Sequence, residues 1–340
     1  MINPIHSVDH LTLGLEPGWL LEVDRQSEGL RLDFFVSKRI SRLSRAKASR
    51  LKIYQVDAHP NARPPYKSIS LPLKKSTRLQ ANTYLWVSRP NPEENITHLP
   101  SPYIIDESPE LIVLFKPSGW AVHPTASRFE STITTWLLRA QIQATPVHRL
   151  DVETSGILLC VKEPSSIRMM TLAFKKRQVH KEYLAICHLK KTRTLGDHWF
   201  CPIPLGFDKE SKISIKMGRG SQESLSEFKL LSVDPTHQFG LISAIPHTGR
   251  QHQLRAHLSL SDAPIVGDKL YGQDDGVFLR YINQALTVDD HLLLCHPRHA
   301  LHAHILEVQT NTVTHSWRTP LPSDLCILAQ RLKISYVHLS

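Results

Sequence analysis

An arginine and an aspartate lie two residues apart, just before one of the most apolar segments of the chain. Arg149 and Asp151 are followed by residues 157–161, Ile-Leu-Leu-Cys-Val, whose composition predicts a core strand. Desolvation at the edge of a core raises the pKa of a carboxyl group, whereas a nearby guanidinium lowers that pKa and keeps the group charged. An ionised carboxylate in such a place can act as a nucleophile or as a general base.

The sequence offers three arginines as partners for this carboxylate. Arg149 shares a face with Asp151 only if the segment is a regular strand, because side chains alternate along a strand. A distant arginine is therefore the better partner, and residues 247–258 contain Arg250 and Arg255. A simpler alternative is that Asp151 only caps a turn and that Arg149 is a surface charge. Thr154, Ser155 and Gly156 supply small side chains and a permissive backbone, so another group can approach closely there.

The residues around Asp151 resemble the RluA-type family of RNA pseudouridine synthases. HRLDVETSG, residues 148–156, is similar to that family's His-Arg-Leu-Asp, two variable residues and Thr-Ser-Gly. Other segments resemble the family in its order: LFKPSGWAVHPT (114–125), KEYLAICHL (181–189), HTGRQHQLRAHL (247–258), PIVGDKLYG (264–272) and RHALHAHILEV (298–308). The resemblance covers about residues 103–332. Val152, Glu153 and Gln251 depart from the residues usual in the family.

This resemblance implies an isomerase that converts uridine in RNA to pseudouridine without a metal, nucleotide or redox cofactor. It implies that Asp151 acts at the ribose anomeric carbon and that Arg255 is its ion-pair partner. Tyr183 is implied to stack on uracil or to remove the proton from its carbon five, and Arg149 to fill the space that the extruded base leaves. The resemblance also implies a set of substrate-binding residues: Arg149, His148, Lys116, His123, Thr154, Arg250 and His252.

Positive charge is concentrated near the N-terminus. Residues 31–89 contain fourteen Lys or Arg and two acids, an excess of twelve that exceeds the +10 of the whole chain. Such a patch favours a polyanion, with RNA, DNA and an anionic membrane as candidates, and a solvated basic surface is the alternative. The pattern predicts two short helices followed by strands, which resembles the small RNA-binding domain named after the fourth protein of the small ribosomal subunit.

Two groups of cations are candidates for RNA contacts. The first group consists of Arg42 and, on the second predicted helix that Ser44 caps, Arg45, Lys47, Arg50 and Lys52. Residues 175–181 carry Lys175, Lys176, Arg177 and Lys181, which either extend the RNA track or form a solvated helix end.

The organisation of the chain predicts an α+β protein. We expect an N-terminal extension (1–28), a small basic RNA-binding domain (29–89), a linker rich in proline and polar residues (90–102) and a catalytic domain (103–340). In the catalytic domain, short β-rich runs outnumber helical patterns, which predicts a mixed or antiparallel sheet.

Composition argues against several other classes of protein. No run of about 18 apolar residues predicts a membrane span, and the first residues lack the features of a signal peptide, so we expect a cytoplasmic monomer. The five cysteines lack metal-ligand spacing and are interpreted as reduced thiols. No phosphate-binding Gly-x4-Gly-Lys loop is present, which excludes a nucleoside triphosphatase of that type.

Two rival functions remain. The histidines of CHPRHALHAH, residues 295–304, invite a zinc hydrolase, although their alternation around His302 and His304 is typical of one strand face. A non-catalytic RNA chaperone or ribosome assembly factor would use the same basic domain. The pseudouridine synthase interpretation predicts no metal site.

Overall fold

The computed structural model describes residues 18–40, 48, 51–57, 67–68, 72–88, 96, 98–124, 128, 130–175, 178–190, 196–309 and 314–336. These residues fall into two compact units. The first lies within Met1–His98 and Ala121–Gln143, and the second within Leu99–Trp120 and Ala144–Ser340. The boundaries predicted from the sequence at residues 28, 89 and 102 stay predictions.

The first unit contains a small antiparallel sheet. Its strands are β1 (Gly18–Val23), β2 (Lys52–Asp57), β3 (Lys67–Ser68) and β4 (Thr83–Ser88), in the spatial order β1-β4-β2-β3. Helix α1 (Leu32–Arg39) buries Leu32, Phe35 and Val36 in the same apolar cluster as Leu85 and Val87 of β4. Helix α2 (Ile133–Arg139) also belongs to this unit and begins at Thr132, whose hydroxyl accepts the N–H of Thr135.

Most of the predicted RNA-binding cations cannot be placed. Arg42, Arg45, Lys47 and Arg50 lie outside the described residues, whereas Lys52 is exposed at the start of β2. The resemblance to the ribosomal RNA-binding domain therefore stays a prediction.

The second unit is built on a ten-stranded mixed sheet. Its order is β10-β13-β14-β9-β15-β8-β6-β5, with β16 beside β15 and β7 beside β8. The strands are β5 (Tyr103–Glu107), β6 (Leu111–Lys116), β7 (Thr145–Pro146), β8 (Ser155–Val161), β9 (Val179–His188), β10 (His198–Cys201), β13 (Ser226–Val233), β14 (Phe239–Pro246), β15 (Leu301–Gln309) and β16 (Thr314–Arg318). β8 and β15 are parallel, and the other pairs are antiparallel. The predicted α+β class with a mixed sheet is confirmed.

Five helices and a two-stranded ribbon complete the described part of this unit. The helices are α3 (Pro164–Lys175), α4 (Gln253–Leu260), α5 (Asp275–Ile282), α6 (Val288–Leu294) and α7 (Ser323–Arg331), and the ribbon pairs β11 (Leu205–Phe207) with β12 (Met217–Arg219). Among the described residues, no helix is long and apolar enough to cross a membrane.

Strand β8 forms the centre of the core, and all seven of its residues are buried. Gly156 in this strand has φ +117°, and a Cβ atom built there would lie 2.2 Å from the Ala303 carbonyl oxygen of β15. Glycine is required because no side chain fits between the two backbones. The close approach predicted at Gly156 is confirmed, and the approaching group is the backbone of strand β15.

The histidines of β15 are part of the packed sheet. His302 is fully buried, with Nδ1 3.0 Å from Ser155 Oγ and Nε2 3.1 Å from Thr319 Oγ1, and His304 Nδ1 contacts the Thr319 carbonyl. Within the described ranges, no group of three His, Cys, Asp or Glu side chains is arranged to hold a metal ion. All five cysteines are free, and Cys160, Cys187 and Cys201 are buried.

Candidate active site

Asp151 lies in the turn between β7 and β8. The turn is closed by the N–H of Thr154, which donates to the Asp151 carbonyl at 3.1 Å. The carboxylate lines a cavity of about 250 Å³ and is 24% exposed. An acid near the end of a buried strand is thus partly desolvated but still open to a ligand.

Arg255 of α4 bridges two carboxylates. Its Nε and Nη2 donate to Asp268 Oδ2 and Oδ1 at 2.7 and 2.8 Å, and its Nη1 donates to Asp151 Oδ2 at 2.9 Å. Asp268 also accepts the N–H groups of Leu270 and Tyr271, so its carboxylate is fixed. The bidentate contact with Asp268 therefore fixes the planar guanidinium, and its Nη1 atom is directed at Asp151.

The charged groups around Asp151 lower its pKa by more than burial raises it. Burial raises the pKa of Asp151, but His252, Arg255 and Arg149 lower it, and the net shift is downward. The pKa of Arg255 is raised despite its burial, because Asp268 and Asp151 both stabilise the cation. The side chain of Asp151 is consequently a carboxylate at neutral pH.

Tyr183 lines the same cavity from strand β9. It pairs with Ala303 of β15 on one side and with Ala244 of β14 on the other, so strands on both sides fix its backbone. Burial and the negative charge of Asp151 both raise the pKa of Tyr183, so its phenol stays protonated. Other residues of the cavity wall include Arg149, Leu150, Thr154, Lys181, Thr248, Arg250, His252 and Leu301.

His252 approaches Asp151 from the start of α4. Its Nε2 lies 4.0 Å from Asp151 Oδ1, and its Nδ1 lies 3.0 Å from the Tyr271 hydroxyl. The backbone of His252 has φ 54°, a left-handed conformation that is uncommon for a residue other than glycine. Strain of this kind clusters at functional sites, where surrounding contacts maintain it. Among the described residues, the Asp151 carboxylate accepts a hydrogen bond only at Oδ2, from Arg255, which leaves Oδ1 available to a substrate.

The backbone after Asp151 is held by buried polar groups. The Val152 carbonyl accepts the Gly119 N–H at 2.9 Å and the Lys116 Nζ at 3.2 Å. Lys116 is fully buried, and its Nζ also donates to the carbonyls of Pro117 and Trp120. Lys116 is not among the residues that line the cavity, so its contacts support the turn that carries Asp151.

Glu153 ties this turn to more distant segments. One of its carboxylate oxygens accepts Lys269 Nζ at 2.8 Å, and the other accepts the His299 N–H at 2.9 Å. Arg298 Nη1 donates to the Glu153 carbonyl at 3.0 Å and is itself held by Asp324 of α7. The residues that follow Asp151 are therefore fixed by charged contacts.

Two more of the predicted substrate-binding residues, His148 and His123, do not line the cavity. His148 accepts the Leu159 N–H at Nε2 (3.0 Å), stacks on Phe174 and is not part of the cavity wall. His123 is exposed in the first unit. Thr154 lines the cavity and contacts His299 Nε2 through its hydroxyl at 2.8 Å.

Comparisons with known proteins bear on this arrangement. The family model described as RNA pseudouridylate synthase matches residues 110–260. The ribosomal large subunit pseudouridine synthase D of Borreliella burgdorferi is 34% identical over 51% of this chain and 55% of its own length. The tRNA pseudouridine synthase C of Pasteurella multocida is 32% identical over 62% of this chain and 89% of its own length.

The chain belongs to the RNA pseudouridylate synthase family. The structure of human RNA pseudouridylate synthase domain containing 4 is similar to this one, with 23% identity, 68% of this chain and 94% of the other covered, and a TM-score of 0.50. That likeness supports the fold alone. The family predicted from the motifs around Asp151 is confirmed.

In this pseudouridylate synthase, the site residues predicted from the sequence lie inside the matched region, and the ones that were not predicted lie beyond it. Asp151, Tyr183 and Arg255 all lie within residues 110–260, and the structure brings them into one cavity. Asp268 and Tyr271, which hold Arg255 and His252, lie beyond that region. The segment PIVGDKLYG contains both residues, and its resemblance to the family was the signal that could have identified them.

Proposed function

We propose that this chain isomerises uridine to pseudouridine within RNA, with Asp151 acting at the ribose anomeric carbon. The observation that carries the proposal is the contact between Asp151 and Arg255, at 2.9 Å, inside a cavity that Tyr183 also lines. The guanidinium keeps the carboxylate ionised, and the Oδ1 atom remains open to a substrate.

The reaction uses only groups that a protein chain can supply. The bond between ribose carbon one and uracil nitrogen one breaks, and its electron pair leaves with the base. Asp151 either bonds to carbon one or removes a ribose proton. The base turns and carbon five bonds to carbon one, while the bond from Asp151 to carbon one breaks or the ribose proton returns from Asp151. Carbon five then loses a proton and nitrogen one gains one. No atom is added and no external electron acceptor is used, so the balance requires no cofactor.

Tyr183 is assigned to stacking on the uracil rather than to removing the carbon-five proton. Its pKa is raised by burial and by Asp151, which makes the phenolate a rare species. A neutral aromatic ring still offers a flat surface to an extruded base. Arg149 is exposed at the cavity and is proposed to fill the space that the base leaves in the RNA.

The partner is proposed to be a structured RNA, either ribosomal or transfer RNA. Relatives are named as synthases of both kinds, and loops or bulges in RNA have the least stacking to disrupt. The basic residues 31–89 would add salt-dependent phosphate contacts. The chain is proposed to act as a monomer, and the RNA partner supports a cytoplasmic location.

Position-resolved pseudouridine mapping of total RNA, with and without the gene, tests this function. We expect at least one site to lose its pseudouridine without the gene and to regain it on expression of the wild-type chain. Asp151→Asn should not restore it. Asp197→Asn is the matched control, because Asp197 is an exposed aspartate away from the cavity. Unchanged pseudouridine with the Asp151→Asn variant as the only copy would refute the proposal and favour the RNA chaperone.

A further inference from the structure

Lys181 is a second cation in the cavity wall. It precedes Tyr183 by two residues on β9, and alternate residues of a strand point to the same face, about 7 Å apart. Both side chains line the cavity. The sequence suggested an RNA track or a solvated helix end for Lys181, whereas the structure places it in a strand and half-buried.

Lys181 forms no ion pair with any carboxylate of the described residues. Burial lowers the pKa of Lys181, and no carboxylate counteracts that shift. Among the described residues, no acid lies within ion-pair distance of its Nζ, whereas the neighbouring cations Arg255 and Lys269 are each paired with carboxylates. Because a desolvated, unpaired ammonium is costly, the fold leaves an anion-binding group on the wall of the cavity.

The proposed reaction creates an anion in this cavity. When the bond from ribose carbon one to uracil nitrogen one breaks, the base leaves with the electron pair. The resulting negative charge is shared among nitrogen one and the two carbonyl oxygens. A positive group placed in advance and shielded from water stabilises such a charge most strongly. Asp151 cannot do so, because its own charge is negative.

We propose that Lys181 donates a hydrogen bond to a carbonyl oxygen of the extruded uracil and stabilises the uracil anion that forms on bond cleavage. This inference rests on the proposed pseudouridine synthase function. Lys181 stays protonated throughout, so the proton balance of the reaction is unchanged. The carbon-five proton leaves and the nitrogen-one proton arrives without passing through the ammonium.

A phosphate is the other anion that Lys181 could meet. Arg149 and Arg250 also line the cavity, and both are exposed, which suits contact with a solvated phosphate. Lys181 is more buried and stands beside the ring proposed to stack on the base. The position of Lys181 therefore suits contact with the extruded base better than contact with a phosphate.

The test uses a short RNA stem-loop that contains the uridine identified by mapping. Lys181→Met removes the charge and keeps the length of the side chain, and we expect kcat to fall by about 10²–10³-fold, as for the loss of one oxyanion donor. RNA affinity is compared between the Asp151→Asn variant and the double variant Asp151→Asn with Lys181→Met. The two affinities should differ by less than about twofold. Lys181→Arg keeps the charge and should recover part of the loss. Lys190→Met, at an exposed lysine beyond β9, is the matched control.

A second measurement uses the wild-type chain and does not depend on the folding of a variant. Replacement of either uracil carbonyl oxygen by sulfur weakens hydrogen bonds to it, so 2-thiouridine or 4-thiouridine at the target should slow turnover. The same substitution should have less effect on the Lys181→Met chain.

The inference is overturned if neither thio substitution slows the wild-type chain. It is also overturned if Lys181→Met retains kcat but binds RNA more weakly with a shallower salt dependence, which would identify a phosphate contact. A wild-type chain that forms no pseudouridine would instead refute the proposed function itself.

Discussion

Asp268 binds Arg255 through both of its carboxylate oxygens, at 2.7 and 2.8 Å, whereas Asp151 contacts the same guanidinium through a single oxygen at 2.9 Å. The side chain of Asp268 is fully buried, and that of Asp151 is 24% exposed. Asp268 therefore orients the guanidinium, whereas Asp151 keeps one oxygen without a hydrogen bond from Arg255, as the proposed reaction requires. Arg255 is a positioning residue whose own orientation depends on Asp268.

Asp268→Asn should weaken both the fold and the reaction. The change leaves the buried Arg255 with one carboxylate, and breaking a buried pair typically costs about 3–5 kcal/mol of folding free energy. We expect a lower melting temperature and a lower kcat, with RNA affinity preserved. Thermal denaturation and single-turnover kinetics measure these effects, and Asp262→Asn, at a half-exposed aspartate of the same connecting segment, should change neither. Wild-type kcat in Asp268→Asn would contradict this role.

Arg255→Lys should move the acid limb of the pH–rate profile. One ammonium cannot bind both carboxylates with the geometry of the guanidinium fork, so Asp151 loses its close partner. Burial then raises the pKa of Asp151, and a higher pH is needed to ionise it. We expect the acid limb of kcat/KM to shift to higher pH relative to wild type. Arg250→Lys is the control, because Arg250 Nε donates to the Glu223 carbonyl and not to Asp151. If the acid limb lies at the same pH in wild type, Arg255→Lys and Arg250→Lys, the prediction is wrong.

Tyr183→Phe and Tyr183→Ala separate stacking from proton removal. Phenylalanine keeps the aromatic face, whereas alanine removes it, and base–aromatic stacking contributes about 1–3 kcal/mol. We therefore expect Tyr183→Ala to lose about 5- to 150-fold more kcat/KM than Tyr183→Phe does. Tyr103→Phe, at an exposed tyrosine, is the matched control. Equal losses for the two Tyr183 variants would assign the function to the hydroxyl.

Acid should destabilise the second unit through its buried histidines. Burial lowers the pKa of His302 to about 3, so the folded ring is neutral where an unfolded one, with a pKa of about 6.5, is protonated. The stability that depends on the neutral ring is complete above about pH 6.5 and is lost as pH falls towards 3, by up to about 1.4 kcal/mol per pH unit. Urea denaturation at pH 7 and pH 5 measures this loss. His302→Asn should reduce the pH dependence relative to His291→Asn at an exposed position.

Gly156→Ala should prevent normal pairing of β8 with β15. The added methyl group would meet the Ala303 carbonyl oxygen at 2.2 Å, and the positive φ angle would add strain. A loss of several kcal/mol is expected, because neither strand can move within the buried sheet. Gly249→Ala is the control, since a Cβ atom there meets nothing within 4 Å. Equal melting temperatures for the two variants would show that the sheet can yield.

The sequence alone identified the family and predicted the residues of the site, because both depend on residue type and local order. HRLDVETSG places the carboxylate before a buried strand, and β-rich runs predict the mixed sheet. Lys116 and His148 were also expected to bind substrate, and their contacts with neighbouring backbone could not be foreseen. Local motifs do not reveal which way a side chain points once strands pair.

What the sequence determined by itself is that Asp151 lies next to a core strand, and it predicted that an arginine far along the chain pairs with this acid. Only the tertiary structure decided how that arginine is held, because Asp151 and Arg255 are 104 residues apart and Asp268 completes the pair from a third segment. The same holds for Lys181, whose cavity position depends on strand register. Charge and hydropathy are properties of single residues, whereas the pKa of a carboxylate and the target of a cation depend on distances that exist only after folding.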